Sequence, residues 1–488
     1  MQEQTFQESM ADWLRHAPYL TLSLVLHVIA IAIFLLMPPT LIAQEKKALT
    51  MAPVEEEVII EEPEEPKEEP KEEEPEEPIL QEVEISEPEV TEEENFEETE
   101  IESSFESNQW NVAVGLGGGA TGKFSKRGDG RGKLGVGRGR DTAQAIEFGL
   151  EWLKAHQDDD GKWDADDFMK HDYDGELCDG EGNPVHDVGL TGLALLAFLG
   201  DGSTMRSGPY KNVVKKAVGW LRREQDPNTG LFGTNTSHDF LYDHAIAALA
   251  MVEAYGLSDS TLLRKYAQKG INYLESHRNP YMVWRYQARN NDNDSSVTGW
   301  CVMAYKSAQD FNLKVNAQAM KLCSTWFDSV TDTTSGRCGY SKRGEISSRH
   351  PGDHSTRFPP QRGEALTAVG LLSRFFLGEN PEDSPIMTAA ANTILSKPPI
   401  WDKKAGDIDH YYWYYATYAL YQMGGRHWKE WSKKLTKAVV KTQRKDGNFK
   451  GSWDPAGAWG EDGGRVYSTA ILVLTLEAYY RYTRVFVR

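Results

Sequence analysis

Residues 187–200 read DVGLTGLALLAFLG, and runs of the same kind recur along the rest of the chain. After the first residue this run is apolar on every face of a helix, which is typical of a helix buried on all sides. Five further runs follow at intervals of roughly 45 to 70 residues, beginning near Asp243, Asp294, Glu364, Asp409 and Arg465. The repeat is therefore a unit of constant type and variable loop length.

Amphipathic helices separate the apolar runs, as at 143–156, 211–224, 262–276 and 428–442. Six buried helices enclosed by six amphipathic ones favour two concentric rings over a flat array. The sequence thus predicts an all-α fold, an α/α toroid of about six helix pairs over 141–488. An open solenoid of stacked helix pairs is the alternative.

A second repeat lies in the turns that follow the amphipathic helices. It consists of a glutamine, a glycine and an aromatic residue, in the copies Gln157…Gly161…Trp163, Gln225…Gly230…Phe232 and Gln443…Gly447…Phe449…Trp453. The glutamine can bond exposed backbone at a helix end, the glycine closes the turn, and the ring fills the gap between repeats. We therefore expect Trp163, Phe232 and Phe449 to be buried and to support stability.

This signature resembles the repeats of squalene and hopene cyclases and of protein prenyltransferase β-subunits, which share an α/α toroid. The likeness spans about 141–482, but the catalytic signatures of these enzymes are displaced or missing. Asp164-Ala165-Asp166-Asp167 has the letters of the cyclase acid motif, yet it lies in a turn between helices. The zinc-binding aspartate and cysteine of prenyltransferases have as nearest equivalent Asp294-Ser295-Ser296, without cysteine. We therefore assign no catalytic residue, regard enzymatic activity as the less favoured alternative, and predict no metal ligand and no cofactor.

All inner helices of a toroid point the same way, so the residues at their starts should surround one mouth of the ring. Acids at these positions are also explained as helix caps. Histidines beside Asp243 and Asp409 exceed what a cap requires, and we expect His244 and His410 to approach one ligand site. The ligand-binding candidates are His186, Asp187, Asp243, His244, Asp294, Glu364, Asp409, His410, Tyr411, Trp413 and Arg465.

Two functions of different classes fit this arrangement. The first is a binding module of the cell envelope for a small molecule, peptide, glycan or lipid. The second is an enzyme that uses the His/Asp mouth as acid and base on a terpenoid or polysaccharide-like substrate. The missing catalytic signatures favour the binding module. A deep, dry aromatic cavity would suit a terpenoid, whereas a shallow acidic groove would suit a polar polymer.

The N-terminus predicts a membrane anchor. Residues 19–37 are almost entirely apolar and end at Pro38-Pro39, about the length of 20 residues that a helix needs to cross a bilayer. A cleaved signal peptide is the alternative, but its apolar core would be shorter.

Ser23 and His27 share one face of this helix. Together with the Pro/Glu-rich spacer they resemble the start of TonB-type energy transducers, which implies a proton-driven motor complex as partner. The same likeness implies a cytoplasmic segment 1–18 and a periplasmic toroid at the inner membrane.

Charge is concentrated in the segment after the anchor. Residues 45–110 hold 27 acidic and 4 basic residues, a net charge of −23 against −21 for the 488-residue chain, so the remainder is near +2. The stretch 38–110 therefore predicts a disordered acidic tether and 111–140 a Gly/Arg-rich hinge. The near-neutral remainder gives no sign of nucleic-acid binding. The four cysteines are too far apart for a disulfide framework.

Overall fold

The computed structural model describes His27 and residues 138–173, 175–350 and 352–481. The predicted tether, Ser23 and the rest of the anchor except His27 lie outside these residues, so the anchor, tether and hinge stay predictions. His27 is described as an exposed helical residue. In the described residues, no helix combines the length and apolar character that a membrane crossing requires.

The described part of the chain folds into paired helices, an outer one followed by an inner one. The first three pairs are α1 (Arg138–Ala155) with α2 (Asp187–Gly200), α3 (Lys211–Glu224) with α4 (Phe240–Ser258), and α5 (Thr261–His277) with α6 (Ser295–Asp310). The fourth pair is α7 (Ala317–Val330) with α9 (Ala365–Phe376), and the single-turn helix α8 (His354–Arg357) lies between them. The last two pairs are α10 (Pro385–Leu395) with α11 (His410–Met423) and α12 (Gly425–Val439) with α13 (Gly460–Leu476), and the single-turn helix α14 (Ala478–Arg481) follows.

The inner helices form a closed ring. Each packs against the next in the order α2, α4, α6, α9, α11, α13, and α13 packs against α2. They are buried on all faces, as their composition requires, whereas the outer helices bury one stripe each. The α/α toroid of six helix pairs is confirmed, and the contact between α13 and α2 excludes the open solenoid.

The last and first repeats meet at a seam beside the start of α13. This helix is kinked at Gly464, whose φ of 66° lies in the left-handed region. A Cβ there would come within 2.6 Å of the backbone nitrogen of Gly182, so only glycine allows this close approach. The backbone N–H of Arg465 donates to the carbonyl of Gly180 at 2.7 Å. The loop between α1 and α2 thus closes the ring onto α13.

The glutamine of each turn bonds backbone carbonyl groups, as predicted, but it reaches the next outer helix and so joins neighbouring repeats. The side-chain amide of Gln225 donates to the carbonyl of Gly230 in its own turn at 3.1 Å and to that of Tyr266 on the next outer helix at 3.0 Å. The other two copies make the same pair of bonds, Gln157 to Gly161 and Val213, and Gln443 to Gly451 and Ala145. Because Ala145 lies on α1, the third copy also helps to close the ring.

The third copy uses a different glycine and aromatic residue from those predicted. Gly451, not Gly447, bonds Gln443, and its φ of +98° with a Cβ contact of 2.2 Å to the carbonyl of Phe148 requires glycine. Trp453, not Phe449, takes the place of Trp163. Trp163, Phe232 and Phe449 are all buried as expected, but Phe449 lies between guanidinium groups instead of between repeats.

Candidate functional site

Most acids at the starts of the inner helices are paired with basic side chains. Each pair joins an inner helix to a connecting segment, and the N–O distances are 2.7 Å for Lys162–Asp187, 2.6 Å for Arg337–Glu364 and 2.9 Å for Arg349–Asp409. Asp409 also caps α11 by accepting from the N–H of Tyr412. These three candidates therefore hold the loops of the mouth in place.

Asp164, the first acid of the turn with the cyclase-like letters, is held in an ionised state. Lys162 lies 2.7 Å from both Asp164 and Asp187, and the N–H of Ala165 donates to Asp187 at 2.9 Å. Burial by itself would raise the pKa of Asp164, but the hydrogen bonds from Lys162 and Asp166 together outweigh it and hold that pKa well below the usual range. A proton-donating acid would require the opposite shift. The pKa of Asp166 is raised, by burial and by its hydrogen bond to Asp164, but this side chain is exposed in the turn and is not enclosed in a cavity.

His186 and Asp243 come together at the mouth. The imidazole Nδ1 lies 3.1 and 3.2 Å from the two carboxylate oxygens of Asp243. Burial opposes the charged imidazole, but the hydrogen bond to Asp243 and the nearby carboxyl groups of Asp243, Asp462 and Asp239 together outweigh it and raise the pKa of His186. The pair thus bridges the starts of α2 and α4, two candidates that the sequence placed on separate repeats.

The structure does not bring His244 and His410 to one site. Nδ1 of His244 accepts from the backbone N–H of Phe232 at 3.0 Å, and its Nε2 donates to the carbonyl of Gly270 at 3.1 Å. His410 is buried elsewhere, against the ring of Trp401. Burial lowers the pKa of each histidine to about 3, so both are neutral.

Two further candidates serve packing. Trp413 is buried and contacts the ring of His410 at 5.5 Å between centroids. Arg465 is fully buried at the seam, where its guanidinium donates to the carbonyl of Asp179 at 2.7 Å and to the hydroxyl of Ser452 at 3.0 Å. Neither side chain is presented to a ligand at the mouth.

The remaining candidates, Asp294 and Tyr411, lie in a cluster formed by one buried acid and four tyrosines. The tyrosine cluster consists of Asp294 with Tyr242, Tyr286, Tyr340 and Tyr411. The four rings are partly exposed, whereas the carboxyl group is 0% exposed. Sequence reasoning missed Tyr286 and Tyr340 because they lie in connecting segments, which carry no helical periodicity.

Hydrogen bonds join the tyrosine hydroxyls to the buried acid. Tyr340 donates to Asp294 at 3.4 Å and is 2.7 Å from the hydroxyl of Tyr286. Ser296 donates to the other carboxyl oxygen at 2.8 Å, so the hydroxyl of Tyr242, 2.5 Å from Ser296, is the donor in that contact. Two chains of hydroxyl groups therefore lead from the acid to the exposed rings.

The electrostatics of this cluster favour proton donors. Burial raises the pKa of Asp294 to about 6, although the N–H of Val297 and the hydroxyl of Ser296 both stabilise the carboxylate. Burial likewise raises the pKa of Tyr242, Tyr286 and Tyr411 above their usual value. At neutral pH the tyrosines are therefore protonated, and Asp294 exchanges its proton near pH 6.

The raised pKa predicts a stability that depends on pH. The folded state binds the Asp294 proton more tightly than the unfolded chain, whose aspartate pKa is about 3.9. Its contribution is therefore complete below about pH 4 and is lost as pH rises through about 6. Relative to Asp294→Asn, which keeps a capping side chain, wild type should gain about 1.4 kcal/mol of unfolding free energy between pH 8 and pH 5. Urea unfolding of both proteins at the two pH values measures this, and parallel pH profiles would contradict it.

No family model and no curated protein matches this chain. Solved structures with a similar course of the chain include an α-1,6-mannanase variant from Salegentibacter sp., at 12% identity, a TM-score of 0.47 and coverage of 69% of this chain and 98% of that one. A cellobiose 2-epimerase from Bacillus thermoamylovorans has 14% identity, a TM-score of 0.47 and coverage of 72% and 99%. A type II terpene cyclase from Scytonema has 14% identity, a TM-score of 0.43 and coverage of 70% and 97%. These values carry no conclusion about what this chain binds or catalyses.

Proposed function

We propose that the toroid is a binding module that holds a glycan against the tyrosine cluster. The rings of the cluster are partly exposed, and the hydroxyl groups of Tyr242 and Tyr286, which donate within the protein, keep oxygen lone pairs that can accept from a ligand. Arg285 adds a cation, with its guanidinium 5.3 Å from the ring centre of Tyr340. Ring faces bordered by a few polar donors and a charge are the usual composition of a site that orients a polar ligand.

The observation that carries the proposal is the contrast between the acids and the tyrosines. Asp294 is 0% exposed and both of its oxygens accept hydrogen bonds from the protein. Asp187, Glu364 and Asp409 are paired with basic groups. The mouth therefore offers rings and hydroxyl groups to a ligand, and its acids act on the protein itself.

A glycan fits this surface better than a lipid or a terpenoid. An apolar ligand would strip water from the partly exposed Arg285 guanidinium, whose nearest carboxylate, Asp294, is 3.9 Å away, and this costs free energy. A sugar ring can pack on an aromatic face and supply hydroxyl partners around its rim. The mixed polar lining therefore selects a ligand that is itself polar.

The predicted anchor and tether give this module a place in the cell. We propose that it stands in the periplasm, held by the helix 19–37 at the inner membrane, with a proton-driven motor complex as partner of Ser23 and His27. A tether of some fifty residues in polyproline geometry reaches on the order of 150 Å. A domain held in this way could reach a polymer well away from the membrane.

Titration of the full chain against a panel of soluble oligosaccharides tests the proposal. Tyr286→Ala should weaken binding about tenfold, since it removes a ring face and a hydroxyl group. Tyr340→Phe, which keeps the ring, should weaken it about threefold. Tyr255→Phe is the matched control, because it removes the hydroxyl group of a partly buried tyrosine at the far end of α4, where it contacts Arg264. Absence of binding across the panel, or equal affinity of Tyr286→Ala and wild type, would refute the proposal.

An enzyme is the second candidate, favoured by the pKa of about 6 at Asp294. The acid could pass a proton through Tyr340 to a bound substrate. Turnover of a bound glycan should then increase as the pH falls through 6 and disappear in Asp294→Asn while binding persists. Binding without any turnover in wild type would contradict the enzyme and support the binding module.

A further inference from the structure

Three side chains with different donor atoms converge beside the end of α1. They are His156, Asp172 and Cys178, and their donor atoms lie within 4.8 Å of one another. A tetrahedral zinc ion with bonds of about 2.0–2.3 Å needs its ligand atoms about 3.3–3.8 Å apart. Small rotations of these side chains would bring the three atoms to that geometry.

The hydrogen bonds of His156 orient one nitrogen as a metal ligand. Its Nδ1 lies 2.7 Å from the carbonyl oxygen of Trp152. A carbonyl only accepts, so Nδ1 carries the proton. Nε2 then presents its lone pair to a carboxylate oxygen of Asp172, 2.9 Å away, unless a second proton lies between them. Without such a proton, the lone pair of Nε2 and the carboxylate oxygen repel each other, and a cation bound to both atoms removes the repulsion. A backbone carbonyl that accepts from the other ring nitrogen is the usual support of a metal-bound histidine.

The surroundings hold the other two ligands in place and bury the site. The backbone N–H of Cys178 donates to the second oxygen of Asp172 at 2.5 Å. The side chains of His156 and Asp172 are 4% and 0% exposed, and Cys178 is buried without a disulfide. Trp152 stacks on the imidazole at 4.0 Å. A buried carboxylate between an imidazole and a thiol requires a compensating charge.

The nearby basic groups are committed to another acid. Lys170 lies 2.8 Å and His171 2.7 Å from the carboxylate of Asp158. Sulfur, nitrogen and oxygen donors together suit zinc, whereas calcium and magnesium prefer oxygen alone. This set also differs from Asp294-Ser295-Ser296, the nearest equivalent of the prenyltransferase site.

We propose that His156, Asp172 and Cys178 form a zinc site whose fourth position is taken by water. Binding releases the thiol proton of Cys178 to solvent and ties the loop that follows the short helix Phe168–His171 to the end of α1. The same loop bonds α13, through Gly180 to Arg465 and Asn183 to Asp462. The metal therefore stabilises the seam between the first and last repeats.

Cobalt titration of the metal-stripped full chain tests this site. We expect one equivalent of cobalt per chain, a thiolate-to-cobalt charge-transfer band in the near ultraviolet, and displacement by zinc. Zinc should also raise the melting temperature, because it binds the folded state. Cys178→Ser should lose the band, and His156→Gln and Asp172→Asn should each weaken binding at least tenfold. Cys323→Ser, which changes a buried thiol on α7, should keep both the band and the affinity.

Several results would overturn the proposal. A folded wild-type chain that binds no cobalt or zinc in the micromolar range would leave an imidazolium–carboxylate pair as the account of this cluster. Retention of the band in Cys178→Ser would place the metal elsewhere. Should Cys178→Ser fail to fold, unchanged affinity in both His156→Gln and Asp172→Asn would decide against the site.

Discussion

Replacement of Arg481 by methionine should lower the free energy of unfolding by about 3–5 kcal/mol. Arg481 lies in α14 at the end of the ring opposite the mouth and is 1% exposed. Its guanidinium is 2.9 Å from a carboxylate oxygen of Glu253 on α4, donates to the carbonyl of Leu196 on α2 at 2.5 Å, and is 3.7 Å from Glu477. Methionine fills much of the volume but leaves two carboxyl groups buried without the cation.

Chemical denaturation of Arg481→Met and of Arg426→Met separates burial from charge. Arg426 forms a pair of similar length with Glu430, at 2.7 Å, but is largely exposed, so its loss should cost less than about 1 kcal/mol. Addition of Glu253→Gln to Arg481→Met should recover part of the loss, because it removes one of the two buried carboxyl groups that Arg481 contacts. A difference of less than about 1 kcal/mol between Arg481→Met and wild type would contradict the prediction.

Truncation of Trp163 to alanine should lower the free energy of unfolding by about 3–5 kcal/mol. The indole is fully buried, its N–H donates to the carbonyl of Leu153 at 2.6 Å, and the ring packs on Phe198 at 5.8 Å between centroids. The substitution leaves a cavity between the first outer and inner helices and removes the partner of a carbonyl at the end of α1.

Trp163→Phe is the matched control for that experiment, since the second repeat carries Phe232 at the equivalent place. It should cost only about 1–3 kcal/mol, because the ring remains and the N–H is lost. Thermal and urea unfolding measure both variants. An unchanged melting temperature in Trp163→Ala would show that the ring does not fill the gap between repeats.

The toroid could be predicted from the sequence because its two signals are local. An apolar run buried on all faces and the glutamine, glycine and aromatic turn each lie within one segment, and neither depends on a distant partner. The turn that joins Thr331 to Cys338 could not be predicted, because its residue types differ from those of the other copies. The backbones of Thr331 and Cys338 pair as those of Gln225 and Phe232 do. Gly336 has a positive φ, as Gly230 has in the second repeat. The backbone geometry is repeated there without the residues that usually mark it.

The sequence by itself determined that acids and histidines lie at the starts of the inner helices, but only the tertiary structure decided which of them contact one another and which pair with other segments. Neighbouring residues on a helix point about 100° apart, so Asp243 turns to His186 at the mouth while His244 turns to the backbone of α5. The basic partners of Asp187, Glu364 and Asp409 come from connecting segments up to 60 residues away along the chain, as do Tyr286 and Tyr340 beside Asp294. Their meeting depends on the packing of helices and connecting segments in the folded ring, which no local pattern encodes.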